Sequence, residues 1–147
     1  MPRALIIGYG NPLRGDDGLG WHVAERLRSL LKGPDAEVLA VQQLTPELME
    51  PISRAERVIF IDASAEGTPG EVRERVISPT SEDRVRFTHS SSPEGLLSGA
   101  LCLYGRAPEA ILLTVGASQF DFGANLSPLV REAADRLVAK VSASLLS

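Results

Sequence analysis

Four short apolar runs, set apart by segments of helical periodicity, constrain the fold more than any other feature of this chain. They are Ala4 to Gly8 (ALIIG), Glu37 to Val41 (EVLAV), Arg57 to Ile61 (RVIFI) and Ala110 to Val115 (AILLTV). ALIIG, RVIFI and AILLTV are too short for helices and nearly unbroken in apolar character, which suits strands buried on both faces of a sheet, and EVLAV reads as a further strand. Between them, Trp21, Val23, Ala24, Leu27, Leu30 and Leu31 recur at helical spacing until Lys32-Gly33-Pro34 stops the run. Thr45-Pro46, Ser92-Pro93 and Ser127-Pro128 each read as a helix start, a hydroxyl cap followed by proline at the first helical position. The helix opened by Ser92-Pro93 ends near Gly105. The last carries Leu129, Val130, Ala133, Leu137, Val138 and Val141 on its expected apolar face. Strands interleaved with helices predict an α/β three-layer sandwich, a mostly parallel twisted sheet of about five strands with helices on both faces. Residues 71–77 and 84–87 alternate polar and apolar side chains and predict a short antiparallel edge. They lie within an irregular stretch, 63–91, whose length in a compact domain points to function.

A chain of 147 residues with 44% apolar and 23% charged side chains fits one globular domain spanning 1–147. The net charge of −4, with no basic stripe, argues against a nucleic-acid or anionic-membrane partner. A lone cysteine, Cys102, rules out an internal disulfide and suits a reducing compartment. No apolar run approaches the roughly 20 residues that span a bilayer. The opening MPRALIIGYG lacks a signal-peptide layout, so a cytoplasmic location is the default. Monomer is the working expectation for the oligomeric state.

The first strand runs into GNPLRGDDGLG, residues 10–20. Gly10 and Gly15 have the spacing of a phosphate-binding P-loop, but Asp16 and Asp17 follow where Lys and Ser/Thr would hold phosphate and magnesium. A dinucleotide fingerprint would need glycine at position 13, which is Leu13. A receiver-type phosphoacceptor domain would place its acidic pair directly at the strand end and a lysine after the fifth strand. Here Gly10 to Gly15 intervene, and Val115-Gly116-Ala117-Ser118-Gln119 has no lysine. A receiver-like regulatory domain, with an acidic phosphoacceptor or metal pocket, stands as the alternative reading.

Open parallel sheets bind ligands beyond the carboxyl ends of their strands. Asp16 and Asp17 follow the first strand, Asp62 ends the third, and His89 precedes the helix opened by Ser92-Pro93. Carboxylates and an imidazole at one rim suit a divalent metal with positions left open for water or substrate. A cation would also relieve the mutual repulsion that otherwise raises a carboxyl pKa. The acidic pair equally suits the positive end of a helix dipole, worth about 0.3–1 kcal/mol each. Asp62 would equally serve as a turn cap and His89 as a solvated loop residue. His22, one turn beyond Asp17, is a second imidazole candidate. Trp21 reads as core, and Cys102 as a packing thiol on the apolar side of its helix.

LIIGYGNPLRGDDGLG resembles the opening signature of the [NiFe]-hydrogenase maturation endopeptidases, G-x-G-N-x-L-x-x-D-[DE]-x-x-G. VIFIDAS resembles that family's second motif, a strand ending in Asp. THSSSPEGLLSGALCLYG resembles its third, a His ahead of a helix, and TVGASQFDFGANLSPLV its closing segment. The resemblance implies that Asp17, Asp62 and His89 contact nickel, with Asp17 and Asp62 catalytic. It implies removal of a C-terminal extension from the hydrogenase large-subunit precursor after nickel insertion, just beyond the metal-holding motif. The nickel would come with the precursor, other divalent ions substituting. The base that activates water would be Asp16 or Asp17, with no covalent intermediate.

Overall fold

The computed structural model describes residues 4–79 and 91–146. β1 (Ala4–Tyr9), β2 (Ala36–Val41), β3 (Arg57–Ser64), β4 (Val72–Ile77) and β5 (Glu109–Gly116) form one sheet in the order β2-β1-β3-β5-β4. Its pairings are parallel except for β4, which lies antiparallel along β5. The helices are α1 (Leu19–Leu30), α2 (Met49–Arg54), α3 (Pro93–Tyr104) and α4 (Pro128–Leu146). Alternation along each strand splits the core in two. Ile6, Ile59, Ile61, Leu113 and Val115 face α1 and α4. Leu5, Ile7, Val58, Phe60 and Leu112 face α2 and α3. The predicted α/β sandwich is thus present, with its antiparallel edge at β4.

Local chemistry sets the element ends. The Ser92 hydroxyl accepts from the Gly95 N–H at 3.0 Å, satisfying a donor that the first turn of α3 leaves open. At the far end, Gly105 turns left-handed and its N–H closes on the Leu101 carbonyl at 2.9 Å. Thr45, by contrast, is extended as a cap should be but makes no side-chain cap bond. The chain there first winds as a 3-10 turn, Pro46–Leu48, before α2.

Several expectations need correction. β3 does not stop at Asp62; it continues to Ser64, because β5 pairs with it through Ser64↔Gly116 after β1 has given out at Gly8↔Ile61. Leu129 is 55% exposed, since the buried stripe of α4 runs through Val130, Ala133, Ala134, Leu137, Val138 and Val141. Cys102 is exposed because helical spacing puts it on the side of α3 away from Leu96, Leu97 and Ala100, which turn inward. Trp21 is half-buried, not core, and meets His22 edge to face with ring centroids 5.2 Å apart. The expected strand at 84–87 lies outside the described residues.

The start of α1 lies directly on the carboxyl ends of β1 and β3, and glycine makes this possible. A Cβ on Gly20 would stand 2.6 Å from the Tyr9 carbonyl oxygen and closer still to that of Ile61. Both neighbours are backbone and cannot turn aside. Gly20→Ala should therefore lose about 2 kcal/mol in urea unfolding, although alanine is the better helix former. Gly33, with nothing within 4 Å of its virtual Cβ, is the control. Gly33→Ala should stay within about 0.5 kcal/mol of the parent.

Candidate active site

β1 is flanked by β2 on one side and β3 on the other, so the connections leaving β1 and β3 diverge above their carboxyl ends. Such a switch point opens a crevice in the sheet. Asp17 enters from the loop after β1 and Asp62 from β3 itself.

Asp17 is set by the glycine turn. Gly10 has φ +140°, and a Cβ there would run into the Asp17 carbonyl oxygen. The chain can thus double back until the Asn11 N–H donates to Asp17 Oδ2 at 2.9 Å. Asn11 Oδ1 in turn accepts from the Leu13 N–H at 2.9 Å.

Asp62 is the first β3 residue beyond its pairing with β1, next to Tyr9 at the β1 terminus. Both belong to the sheet face covered by α2 and α3, by alternation from Phe60 and Ile7. Burial pushes the Asp62 carboxyl up to about 6, and the charge of Asp17 adds to the rise. Hydrogen bonds from the Tyr9 hydroxyl and the Ala63 N–H, the latter at 2.8 Å, pull the other way. The Tyr9 phenol, buried beside that carboxylate, is held far above its ordinary pKa and remains a donor. The structure therefore brings Asp17 and Asp62 close enough to feel each other electrostatically.

Asp16 does something different. Its side chain is fully buried. Oδ2 accepts from the N–H groups of Ser118 (2.8 Å) and Gln119 (3.0 Å) and from the Ser127 hydroxyl (2.8 Å). Oδ1 accepts from the Ser127 N–H at 2.7 Å. Burial alone would raise its pKa, but these four donors outweigh burial and hold it below the ordinary value. With its lone pairs engaged and its charge stabilised, Asp16 is unsuited to accept a proton from water. Of the two acids considered as base, Asp17 is the one whose charge reaches Asp62.

His22 lies on α1, its ring hydrogen-bonded to the Ala124 backbone and its pKa lowered by burial, so it is neutral at pH 7. Its Nε2 is buried without a hydrogen-bond partner among the described residues. His89 lies outside the described residues. Among the described residues, no group of three or more His, Cys, Asp or Glu side chains could hold a metal ion. Cys102 sits near the end of α3. Four residues on, Arg106 bonds the Ser53 and Ala55 carbonyls ahead of β3, at the edge of the sheet opposite the crevice. Sequence reasoning missed Tyr9 and Ser127. The signal for Tyr9 was available, because aligning the ends of the first and third runs places it beside Asp62. Ser127 reads as an ordinary helix cap, and nothing local announces its partner 111 residues away.

The acids separate in their stability effects. Asp62 titrates higher folded than its ordinary 3.8, so between about pH 4 and 6 the folded chain holds more protons than the unfolded one. Its contribution to stability consequently falls as pH rises through that window, and Asp62→Asn should remove this slope in pH-dependent urea unfolding. Asp16 has the opposite sign. Its folded pKa is depressed, so its contribution is present above the ordinary value and lost as pH falls through the folded one. In Asp16→Asn the amide NH2 must point at a donor whichever way it sits, which should cost about 3 kcal/mol or more at pH 7.

No protein-family model matches the sequence, and no curated protein matches it either. Solved structures do. The [NiFe]-hydrogenase maturation protease HycI of Thermococcus kodakarensis is 28% identical, with a TM-score of 0.81 over 99% of this chain and 93% of its own. The hydrogenase 2 maturation peptidase of a Thaumarchaeota archaeon is 28% identical, with a TM-score of 0.73 and 97% coverage of both chains. The hydrogenase maturating endopeptidase HybD of E. coli is 26% identical, with a TM-score of 0.76 over 97% of this chain and 91% of its own. These structures agree with the chain end to end in fold, so it is similar over nearly its whole length to [NiFe]-hydrogenase maturation proteases.

Proposed function

We propose that this protein is an endopeptidase that removes the C-terminal extension of a [NiFe]-hydrogenase large-subunit precursor after nickel insertion. In this reading Asp17, Asp62 and His89 receive the nickel carried by the substrate. The observation that carries it is the pairing of Asp17 with Asp62 at the switch point, where the charge of one already raises the pKa of the other. Two partly buried carboxylates that repel each other gain from an arriving divalent cation. His89 stands three residues ahead of the Ser92 cap of α3, the helix packed on the Asp62 face of the sheet. An imidazole added to two carboxylates makes a donor set suited to a borderline divalent ion, with positions free for substrate.

The roles divide among the chain's own groups. Asn11 holds Asp17 by its backbone N–H, and Tyr9 and Ala63 orient Asp62. A divalent ion held by Asp17, Asp62 and His89 would supply Lewis acidity to the scissile carbonyl or to the attacking water. Asp17, whose charge reaches Asp62, is the carboxylate placed to take the proton. A cytoplasmic setting suits the lone cysteine, and no helix among the described residues is long and apolar enough to cross a membrane. The receiver-like alternative has no geometric support, since Asp16 is consumed by backbone donors and the edge strand is antiparallel.

Incubation with nickel-loaded precursor should shorten the large subunit's C-terminus, read by mass spectrometry. Asp17→Ala, Asp62→Ala and His89→Ala should each slow the cut by at least about a hundredfold while the protein stays folded. Normal cleavage by both aspartate variants would refute the assignment. Transfer of a phosphoryl group to the chain from a small phosphodonor would favour the regulatory reading instead.

A further inference from the structure

The rim beside Asp17 carries large apolar side chains in water. Leu13 is 52% exposed, Phe120 37% and Phe122 87%. Single exposed apolar residues are ordinary on protein surfaces. These differ in how they are mounted. Leu13 lies in the loop after β1, Phe120 and Phe122 in the segment between β5 and α4, and the two backbones are bound together. The Gly123 N–H donates to the Leu13 carbonyl at 2.7 Å, and the Gly15 N–H to the Gly123 carbonyl at 2.8 Å. Arg14 and Gly123 form a parallel bridge. Below them the Asp16 N–H bonds the Gln119 carbonyl at 3.0 Å, and the Asp16 carboxylate holds Ser118, Gln119 and Ser127.

The patch is also continuous with the crevice. Asp17 accepts from Asn11, Asn11 from Leu13, and Leu13 from Gly123, so each step from the candidate catalytic carboxylate to the patch is one hydrogen bond. Among the described residues, the exposed Leu101, Leu103 and Tyr104 of α3 have no such hydrogen-bonded connection to Asp17. A chain that presents a scissile bond over Asp17 and Asp62 must cross an adjoining surface. The surface adjoining Asp17 carries three large apolar side chains among polar neighbours such as Arg14 and Asp121, on a backbone held by these bonds.

We propose that Leu13, Phe120 and Phe122 form a docking surface for an apolar segment of the large-subunit precursor next to its cleavage site. This rests on the endopeptidase reading and adds to it the chemical character of what the enzyme grips. The rim supplies anchoring area fixed before the substrate arrives, so little ordering cost is left at binding. It takes no part in the chemistry, which sets the kinetic signature.

The test uses the full chain and purified nickel-loaded precursor, with cleavage followed over a range of precursor concentrations. The double variant Leu13→Ser/Phe122→Ser, and separately Phe120→Ser, should raise KM about tenfold or more with kcat at saturation unchanged. Melting temperatures should match the parent, and Phe122→Leu, which keeps an apolar side chain, should keep the parental KM. Parental KM in both serine variants overturns the docking surface and leaves the endopeptidase reading standing. A fall in kcat at constant KM also overturns it, by placing these residues in the chemistry. Sedimentation showing a parental dimer that the double variant loses, with KM unchanged, assigns the patch to self-association and overturns it too. Failure of the parent protein to cleave or bind the precursor defeats the functional reading itself.

Discussion

One buried carboxylate holds the working end of this molecule together. Asp16 joins three segments far apart in sequence: its own loop after β1, the exit of β5 at Ser118 and Gln119, and the entry to α4 at Ser127. A buried charge is costly unless fully paired, and here backbone N–H groups and one hydroxyl do the pairing. The arrangement resists substitution because each donor would be stranded without its acceptor. With that anchor in place, the neighbouring Asp17 can be left half-exposed without loosening the loop that carries it.

The second constraint is the unequal length of the strands. β1 gives out at Tyr9, while β3 is carried three residues past Ile61, its last residue paired with β1, by its pairing with β5. Asp62 therefore stands at a step in the sheet, where one neighbour has ended and the other continues. The step gives it a rigid backbone, partial burial and Tyr9 as a close companion. Gly20 brings α1 down onto the same step, so the crevice is floored by closely packed backbone.

Much of the architecture was legible in the sequence, because buried parallel strands must be apolar on both faces and helices announce their starts. ALIIG, RVIFI and AILLTV became β1, β3 and β5, and Ser92 capped α3 as its position suggested. What failed was whatever depended on partners distant in sequence. Asp16 and Asp17 are identical neighbours, and only the tertiary bonds to Ser118, Gln119 and Ser127 separate a structural acid from one whose charge reaches Asp62. The reach of β3 past Asp62 depended on the length of β5. Leu129 lay one residue from the buried stripe of α4, and Cys102 on the side of α3 away from Leu96, Leu97 and Ala100, angular differences that an apolar side chain alone does not disclose. His89 rests on its place in the chain and on the family resemblance.

The hydrogen bonds at Asp62 have a consequence for how tightly any ion could be kept. A carboxylate offers about four lone-pair directions, and the Ala63 amide and the Tyr9 phenol already occupy two of them. What is left favours a one-armed grip over a chelating one. A cation held there by Asp62 would keep most of its coordination positions for other groups and would leave without a chelate to break.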